Sequence, residues 1–500
     1  MKLSIPSSLF TGQQVKRGEQ RAAQLAGVEM YTLMQRAGGS AYDLLKRLYP
    51  QASRLLILVG SGNNGGDGFV VAKLAQADGM NVTVALYGDE SKLAGDALKA
   101  KQEWLNCGGE FTSLESLDLE RLDVDVVVDG LLGTGLSGDV RLPLQNQIER
   151  VNHLDLPTLS IDLPSGLCSD TGRVFGKAIR ANHTITFIGV KQGLMTGQAR
   201  EVTGQIHFAG LGVDGEFLQC EKASSSLLDI DEMRDVLPRR KPTAHKGHHG
   251  RLLCLGGNEG FAGAIRLCAS AAARNGAGLI RALCHAHSSI ALQVSCPEVM
   301  TQAWNHQHDT LHHAISEADV IAIGPGLGKD EWAQEIYRAT VCVDKPKIVD
   351  ADGLNLLAFD CHRDPLRIIT PHPGEAARLL QCSVKQVEQD RFSAVRELQA
   401  KFGGVVVLKG AGTLVCDETD IFVCYAGNAG MATGGMGDVL TGIIAAMLAQ
   451  GLGLVDAAKV GVLLHSAAAD ELAHQEGQIG LLASDVVHHS RTVLNNWLSD

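Results

Sequence analysis

Gly427-Asn-Ala-Gly-Met-Ala-Thr-Gly-Gly-Met-Gly-Asp438 runs straight into the apolar stretch Val439–Leu448, VLTGIIAAML. Five glycines in so short a span let backbone N–H groups approach an anion closely, and a helix that opens there adds its positive dipole end. An aspartate at the helix start can serve as a base on whatever lies beside that anion. The stretch therefore predicts a phosphate-binding turn with one catalytic carboxylate, Asp438. In an α/β chain such a turn lies at the carboxyl end of a parallel sheet.

The rest of the chain follows that pattern. Short β-branched runs alternate with helical stretches in both halves. RLLILVG (54–60), NVTVALY (81–87), DVDVVVD (123–129), TLSID (158–162) and TITFI (184–188) form the first series. RLLCLG (251–256), 278–284, DVIAIG (319–324), KIVD (347–350), 367–370 and GVVVLK (404–409) form the second. Continuous apolar strands alternating with amphipathic helices imply parallel sheets covered on both faces. The expected fold is α/β, two three-layer αβα domains. Polar EKASSS (221–226) and basic PRRKPTAH (238–245) bracket the seam. They place the domains at 1–222 and 223–500, with no internal repeat between them.

Bulk properties narrow the function. Five hundred residues exceed a single core. A net charge of −12 argues against nucleic acid and acidic membranes as partners, but not against small phosphorylated ligands held by local amides. The amino terminus MKLSIPSSLFTGQQ lacks the apolar core of a signal peptide, and no window is apolar enough to span a membrane. The twelve cysteines form no C-x-x-C pair and read as reduced thiols. A cytoplasmic protein is expected.

In the first half, three strand ends carry polar groups. After RLLILVG comes SGNNGGDG (61–68), in which Asn63 and Asn64 tolerate left-handed backbone and the glycines let amides face outward. After the strand ending at Asp129 comes GTGLSG (133–138), and a third strand ends in Asp162-Leu-Pro-Ser165-Gly166. Hard oxygens there suit an alkali or alkaline-earth cation, and the amide-rich loops suit phosphates. The loops are neither a Walker motif nor G-x-G-x-x-G. Asp129 and Asp162 could also simply cap strand-to-helix turns.

These three motifs, preceded by LMQRAG (33–38), resemble the NAD(P)H-hydrate epimerase family, a Rossmann-like fold. Gln35 departs from the acidic residue more common there. The resemblance implies substrate phosphates at Asn63, Asn64, Gly65, Gly66 and Asp67 and at Gly133, Thr134, Gly135, Leu136, Ser137, Gly138 and Asp139. It further implies substrate contact at Asp162 and a K+ ion near Asn64, Asp129 and Ser165. The implied reaction interconverts the R and S forms of a nicotinamide ring hydrated at C6. That carbon is hemiaminal-like, so proton transfer is needed and Asp162 is the candidate acid/base.

In the second half, KGHHG (246–250), GPGLG (324–328), VDADGLN (349–355), TPHPGE (370–375) and KGAGT (409–413) precede the opening stretch. Together they resemble the ribokinase-like superfamily and, within it, ADP-dependent NAD(P)H-hydrate dehydratases. T-P-H-P-G-E discriminates, since sugar kinases of the superfamily generally lack it. Lys409, Gly410, Ala411, Gly412 and Thr413 offer a cation and free amides to nucleotide phosphates. The resemblance adds Asn428, Gly434, Gly435 and Gly437 to the nucleotide site and Ala264, Gly326, His372 and Asp438 as substrate contacts. Asp438 would take the proton of the ring hydroxyl as phosphate transfers. The histidines at 306, 308, 312 and 313 lack a carboxylate motif and read as a solvated face, and His245, His248 and His249 read as a mobile loop.

The chain thus reads as a repair enzyme for hydrated nicotinamide cofactors. It would bind NADHX and NADPHX and consume ADP with Mg2+ to give AMP and phosphate, although the same amide cradle could accept ATP. A homo-oligomer is implied by the resemblance. Two alternatives remain at this stage: a vitamin or sugar kinase that stops at the phosphorylated product, and a first half that binds without catalysis.

Overall fold

The computed structural model describes residues 5–136 and 138–499. The chain divides into two compact units between Ser226 and Leu227.

In the first unit seven parallel strands lie in the spatial order Phe111–Ser113, Asn81–Leu86, Arg54–Val59, Val126–Gly130, Thr158–Ile161, His183–Phe187, Gln205–Ala209. The chain winds outward from Arg54–Val59 to one edge, then returns to Val126–Gly130 and winds to the other. The crevice between those two strands is the switch point where open sheets of this kind bind ligands. Alternation along Arg54–Val59 builds both faces of the sheet. Leu55, Ile57 and Val59 pack under the helices Met30–Leu48 and Asn63–Ala77, while Leu56 and Leu58 face Leu144 and Ile148 of Leu142–Asn152.

The polar stretch read as a seam is structured. Ser225 and Ser226 pair antiparallel with Leu9 and Ser8, and Ser224 donates to the carbonyl of Leu9 and to Gln192. Glu221 is buried against Arg17 at 2.7 Å. A run of serines reads as solvated from composition alone. Here the hydroxyls of Ser224 and Ser225 both find Gln192, in a short ladder that no local signal announces.

In the second unit seven parallel strands run in the order Met300–Ala303, Leu279–Cys284, Arg251–Leu255, Val320–Ile323, Lys347–Val349, Arg367–Ile369, Val405–Leu408, and an antiparallel hairpin Thr413–Cys416/Ile421–Cys424 continues the sheet. Leu252 and Cys254 join a core with the helices Ala262–Arg274, Met436–Ala449 and Leu454–Glu476, while Leu253 and Leu255 are buried on the opposite face. Met436–Ala449 is apolar on nearly every side because the sheet and two helices enclose it. Gly442 permits that enclosure: a Cβ there would lie 2.1 Å from the carbonyl oxygen of Cys268.

Among the described residues no helix is long and apolar enough to cross a membrane, and none of the twelve cysteines is in a disulfide. His306, His308, His312 and His313 are exposed, as expected of a solvated face.

Candidate functional site

Two clusters form, one in each unit, and both lie at carboxyl ends of parallel strands. In the first unit Asn63, Asn64, Gly65, Gly66 and Asp67 are not a loop before a helix but the opening turns of Asn63–Ala77. Both asparagines lie in the helix and neither takes up the left-handed backbone they tolerate. Gly65 is required for a different reason: a Cβ would stand 2.0 Å from the carbonyl oxygen of Gly60, where strand and helix meet. The orphan N–H groups of this helix start face the switch point.

Gly133 lies against Asn64, with a notional Cβ 3.3 Å from that of Asn64. Leu136 N–H donates to the carbonyl of Gly133 at 3.2 Å, Gly138 takes φ +76°, and Asp139 pairs with Arg173 at 3.2 Å. Thr134 approaches Gly12, while nothing crowds Gly135. Ser137 lies outside the described residues.

Asp129 and Ser165 are fully buried and Asn64 nearly so. Asp129 accepts from the hydroxyls of Ser165 (2.6 Å) and Ser160 (2.8 Å) and from the amide of Ser165 (2.8 Å). Burial nevertheless outweighs those bonds and raises its carboxyl above the usual range. Asn64 donates to the carbonyl of Leu132 at 2.9 Å, yet its own Oδ1 is buried without a partner. An orphaned carbonyl oxygen beside a desolvated carboxylate is what an oxygen-ligated cation would satisfy. Among the described residues no group of three or more His, Cys, Asp or Glu could hold a metal, so such a cation would rest on amide, hydroxyl and carbonyl oxygens with one carboxylate.

Asp162 is held at φ +65°, a conformation rare outside glycine. Its carboxylate is ion-paired with Lys191 Nζ and also accepts from Thr186 at 3.3 Å. Lys191 is 1% exposed and donates further to Thr186 Oγ1 and the carbonyl of Phe187, each at 3.1 Å. Two more carboxyls sense this pair. Burial pushes Glu19 up to about 7, with Lys191 opposing and Asp162 reinforcing the shift. Asp67 is raised by burial and by Asp162. Sequence reading missed Lys191 and Glu19. Neither sits in a glycine motif, and only the fold carries them to Asp162.

In the second unit the KGAGT segment, Lys409 to Thr413, leaves its strand beside the TPHPGE segment, where Lys409 N–H donates to the carbonyl of Pro371 at 2.9 Å. Gly410 and Gly412 take φ +137° and +68°, and Thr413 Oγ1 donates to the carbonyl of Gly410 at 3.1 Å. Ala411 continues the same exposed turn. His372 caps the helix Pro373–Leu380: its Nδ1 accepts from Gly374 N–H at 3.0 Å, and its own N–H donates to Glu375 at 2.8 Å. Ala264 and Gly326 are neighbours, a Cβ on Gly326 falling 3.1 Å from that of Ala264.

The glycine turn arrives from elsewhere in the chain. Gly435 takes φ +91° at the start of Met436–Ala449, with Asp438 in the first turn and Gly434 open to solvent. A Cβ on Gly437 would lie 3.2 Å from Lys409 Nζ and 3.6 Å from Asp350 Oδ2, so the turn and the lysine meet. Asn428 is tied down by Asp470 at 2.8 Å, and the same carboxylate takes Gly427 N–H. These contacts are structural: they shape the approach to the turn.

Asp350, which the sequence reading quoted but did not assign, organises this cluster. It is 1% exposed, accepts from Lys409 Nζ at 2.8 Å and from Thr441 Oγ1 at 2.8 Å. Glu375 lies 3.8 Å from Lys409 and is pushed up to about 7, chiefly by burial. Burial pulls the Lys409 ammonium down, but Asp350 and Glu375 outweigh it and raise the group overall. Burial, reinforced by the charge of Asp350 and opposed by Lys409, pushes Asp438 up to about 7. A carboxylate poised near neutrality at a helix amino terminus, next to a cation and amides, is equipped to deprotonate an alcohol as phosphate reaches it.

The chain was compared with known proteins. A family profile described as YjeF-related protein N-terminus matches residues 30–193, and one described as NAD(P)H-hydrate dehydratase matches residues 252–491. The chain is 49% identical over 493 residues to the bifunctional NAD(P)H-hydrate repair enzyme Nnr of Vibrio cholerae, covering 99% of each chain. It is 44% identical over 499 residues to that of Escherichia coli, covering all of this chain and 96% of the relative. Among solved structures it resembles the ADP/ATP-dependent NAD(P)H-hydrate dehydratase of Bacillus subtilis co-crystallized with ATP/Mg2+, at 28% identity and a TM-score of 0.50 over 54% of this chain and 98% of that one. A ribokinase-like superfamily protein of Enterococcus faecalis aligns at 30% identity with a TM-score of 0.52 over 55% of this chain and 96% of that one. Two complete strand-end clusters in one chain, matched along its whole length by such relatives, leave one assignment: the chain belongs to the family of bifunctional NAD(P)H-hydrate repair enzymes.

Proposed function

We propose that the first unit interconverts the R and S hydrates of NADH and NADPH, and that the second dehydrates the S form while converting ADP to AMP and phosphate. The observation that carries this reading is the pair of clusters. Each unit joins an amide-rich helix start to a buried carboxylate and lysine, and full-length relatives are named bifunctional NAD(P)H-hydrate repair enzymes.

In the second unit Lys409 and the amides of Gly410 to Thr413 and Gly434 to Gly437 hold the nucleotide phosphates. His372, Gly326 and Ala264 border the ring. Asp438 takes the proton from the C6 hydroxyl, whose oxygen attacks the terminal phosphorus of ADP as the bond to AMP breaks. The ring nitrogen lone pair then expels phosphate from C6, and loss of a C5 proton restores the dihydropyridine. Mg2+ bound with the nucleotide would neutralise phosphate charge. Asp350 already serves Lys409 and Thr441, so the ion would rest mainly on the phosphates. The donor is tested by phosphorus NMR of the products. AMP and free phosphate in step with NADH support the reading, while a lasting phosphate ester would instead make the unit a kinase.

In the first unit Asp162 and Lys191 divide the proton transfers. The C6 hydroxyl gives its proton to Asp162 while the C6–N1 bond breaks, its electron pair going to N1. The Lys191 ammonium supplies the proton N1 then needs. Rotation about C5–C6 of the open aldehyde and closure by the reverse transfers return the ring with inverted C6 and both residues in their starting states. The phosphates rest on the amides of Asn63 to Asp67 and of Gly133 to Asp139.

Asn64, Asp129 and Ser165 fit K+, which would fix the two loops against each other and offset the phosphate charge. Replacing K+ by Na+ is expected to slow epimerisation several-fold and to lower the melting temperature of the first unit. Asn64→Leu, which removes the orphaned oxygen, is expected to abolish both responses. Equal rates and equal melting in the two salts would remove the ion from the site.

A further inference from the structure

Outside both clusters, the second unit holds a cavity of about 620 Å³ between the helices Ala262–Arg274, Met436–Ala449 and Ala483–Ser499. None of the predicted site residues lines it. Four arginines do: Arg240, Arg266, Arg274 and Arg491, against a single carboxylate, Glu298. Arg240 comes from the basic segment at the seam and donates to the carbonyl of Gly276 at 2.8 Å. Among the described residues Arg266, Arg274 and Arg491 form no ion pair, and Glu298 reaches only Cys296, at 3.8 Å.

Four cations with one acid nearby run against the grain of a chain whose net charge is −12. Their mutual repulsion favours a bound anion, and concave walls of one sign concentrate their field. Guanidinium forks match phosphate oxygens two at a time. The cavity is of the size that takes a small-molecule ligand. Its walls also carry Ser270, Ser484 and Asn495 for polar contacts and Met447 and Leu498 for an apolar ring.

We propose that this cavity is a second anion site, separate from the catalytic turn, that takes a phosphorylated nucleotide. Its helix wall connects it to catalysis. Leu267 lines the cavity and also fills the space beside Gly435, where a Cβ would stand 2.5 Å from its Cδ1. Ala264, one turn earlier on the same helix, borders the ring site. An occupant would therefore bear on the position of the glycine turn.

The test is calorimetric titration of the full-length protein with ADP, with NADPH and with pyrophosphate. Wild type is compared with Arg274→Glu/Arg491→Glu, and with the milder Arg274→Gln/Arg491→Gln should reversal disturb folding. The wild type is expected to show two classes of site for at least one probe. The variants are expected to lose about tenfold or more in one class while keeping the other and keeping dehydratase turnover at saturating substrate. A response to ADP alone marks a mononucleotide site, one to NADPH alone a dinucleotide site, and one to all three a general phosphate site. Unchanged isotherms for every probe overturn the proposal. So does a changed sedimentation coefficient with unchanged isotherms, which would make the cavity a contact between copies of the chain.

Discussion

Asp438→Asn is expected to slow NAD(P)H regeneration from the S hydrate by about 10²–10⁴, the cost of losing a general base, while R/S interconversion keeps its wild-type rate. Asparagine preserves shape and removes only the capacity to take a proton. The ring hydroxyl is a weak nucleophile until it loses that proton, and no other carboxylate is placed as well at the start of Met436–Ala449. Asp350 is committed to Lys409 and Thr441, and Glu375 is committed to the amide of His372. The sign of the pH dependence follows from the shift. A base must be ionised to work, and burial with the Asp350 charge holds Asp438 near 7. Dehydration is therefore expected to rise through pH 7 and to fall about tenfold per unit below it. Asp350→Asn would remove the like charge and release Lys409 toward Asp438, so the rise should move to lower pH even as the rate drops. A profile that stayed put would show that Asp350 only holds the lysine.

Lys191→Met is expected to stop epimerisation by a comparable factor, about 10²–10⁴, and to leave dehydration of the S hydrate untouched. The second activity is then an internal control on the amount of active chain. Removing one member of a buried pair leaves the other uncompensated, at a cost of about 3–5 kcal/mol. Asp162→Asn/Lys191→Met restores neutrality and should recover the melting temperature without recovering the rate. Lys191→Arg separates chemistry from placement. Arginine keeps the charge but does not give up a proton, so a proton donor is not rescued by it, whereas a mere counter-charge for Asp162 is. Recovery of the wild-type rate in Lys191→Arg would assign Lys191 to positioning.

Much of the fold was legible because its signals are local. Uninterrupted apolar runs such as Val405–Leu408 and turn glycines at their carboxyl ends mark parallel strands without any knowledge of partners. Motifs read the same way: Asp129 and Ser165 came together as expected, as did Lys409 with the glycine turn. What was hidden depends on approach from afar. Lys191 reaches Asp162 only because the strand His183–Phe187, just before it in the chain, pairs with Thr158–Ile161, and Glu19 comes from an amino-terminal helix with no glycine motif near it. Asp350 looked like one more strand-end aspartate until its partners Lys409 and Thr441, 59 and 91 residues away, were in place. The backbone at Asn63 and Asn64 was open for a related reason. Asparagine tolerates left-handed backbone, but tolerance is not requirement, and the helix start at Asn63 satisfied the turn without it.

The central claim is that both clusters act in sequence on one damaged cofactor. The most direct measurement is near-ultraviolet absorbance of NADH regenerated from a mixture of R and S hydrates, with Mg2+ and with or without ADP. A complete, ADP-dependent recovery, faster than the hydrates interconvert unaided, is the predicted result. Recovery that halts at the S fraction would contradict the assignment of epimerase chemistry to Asp162 and Lys191, and no recovery with ADP would contradict the assignment of dehydration to Asp438.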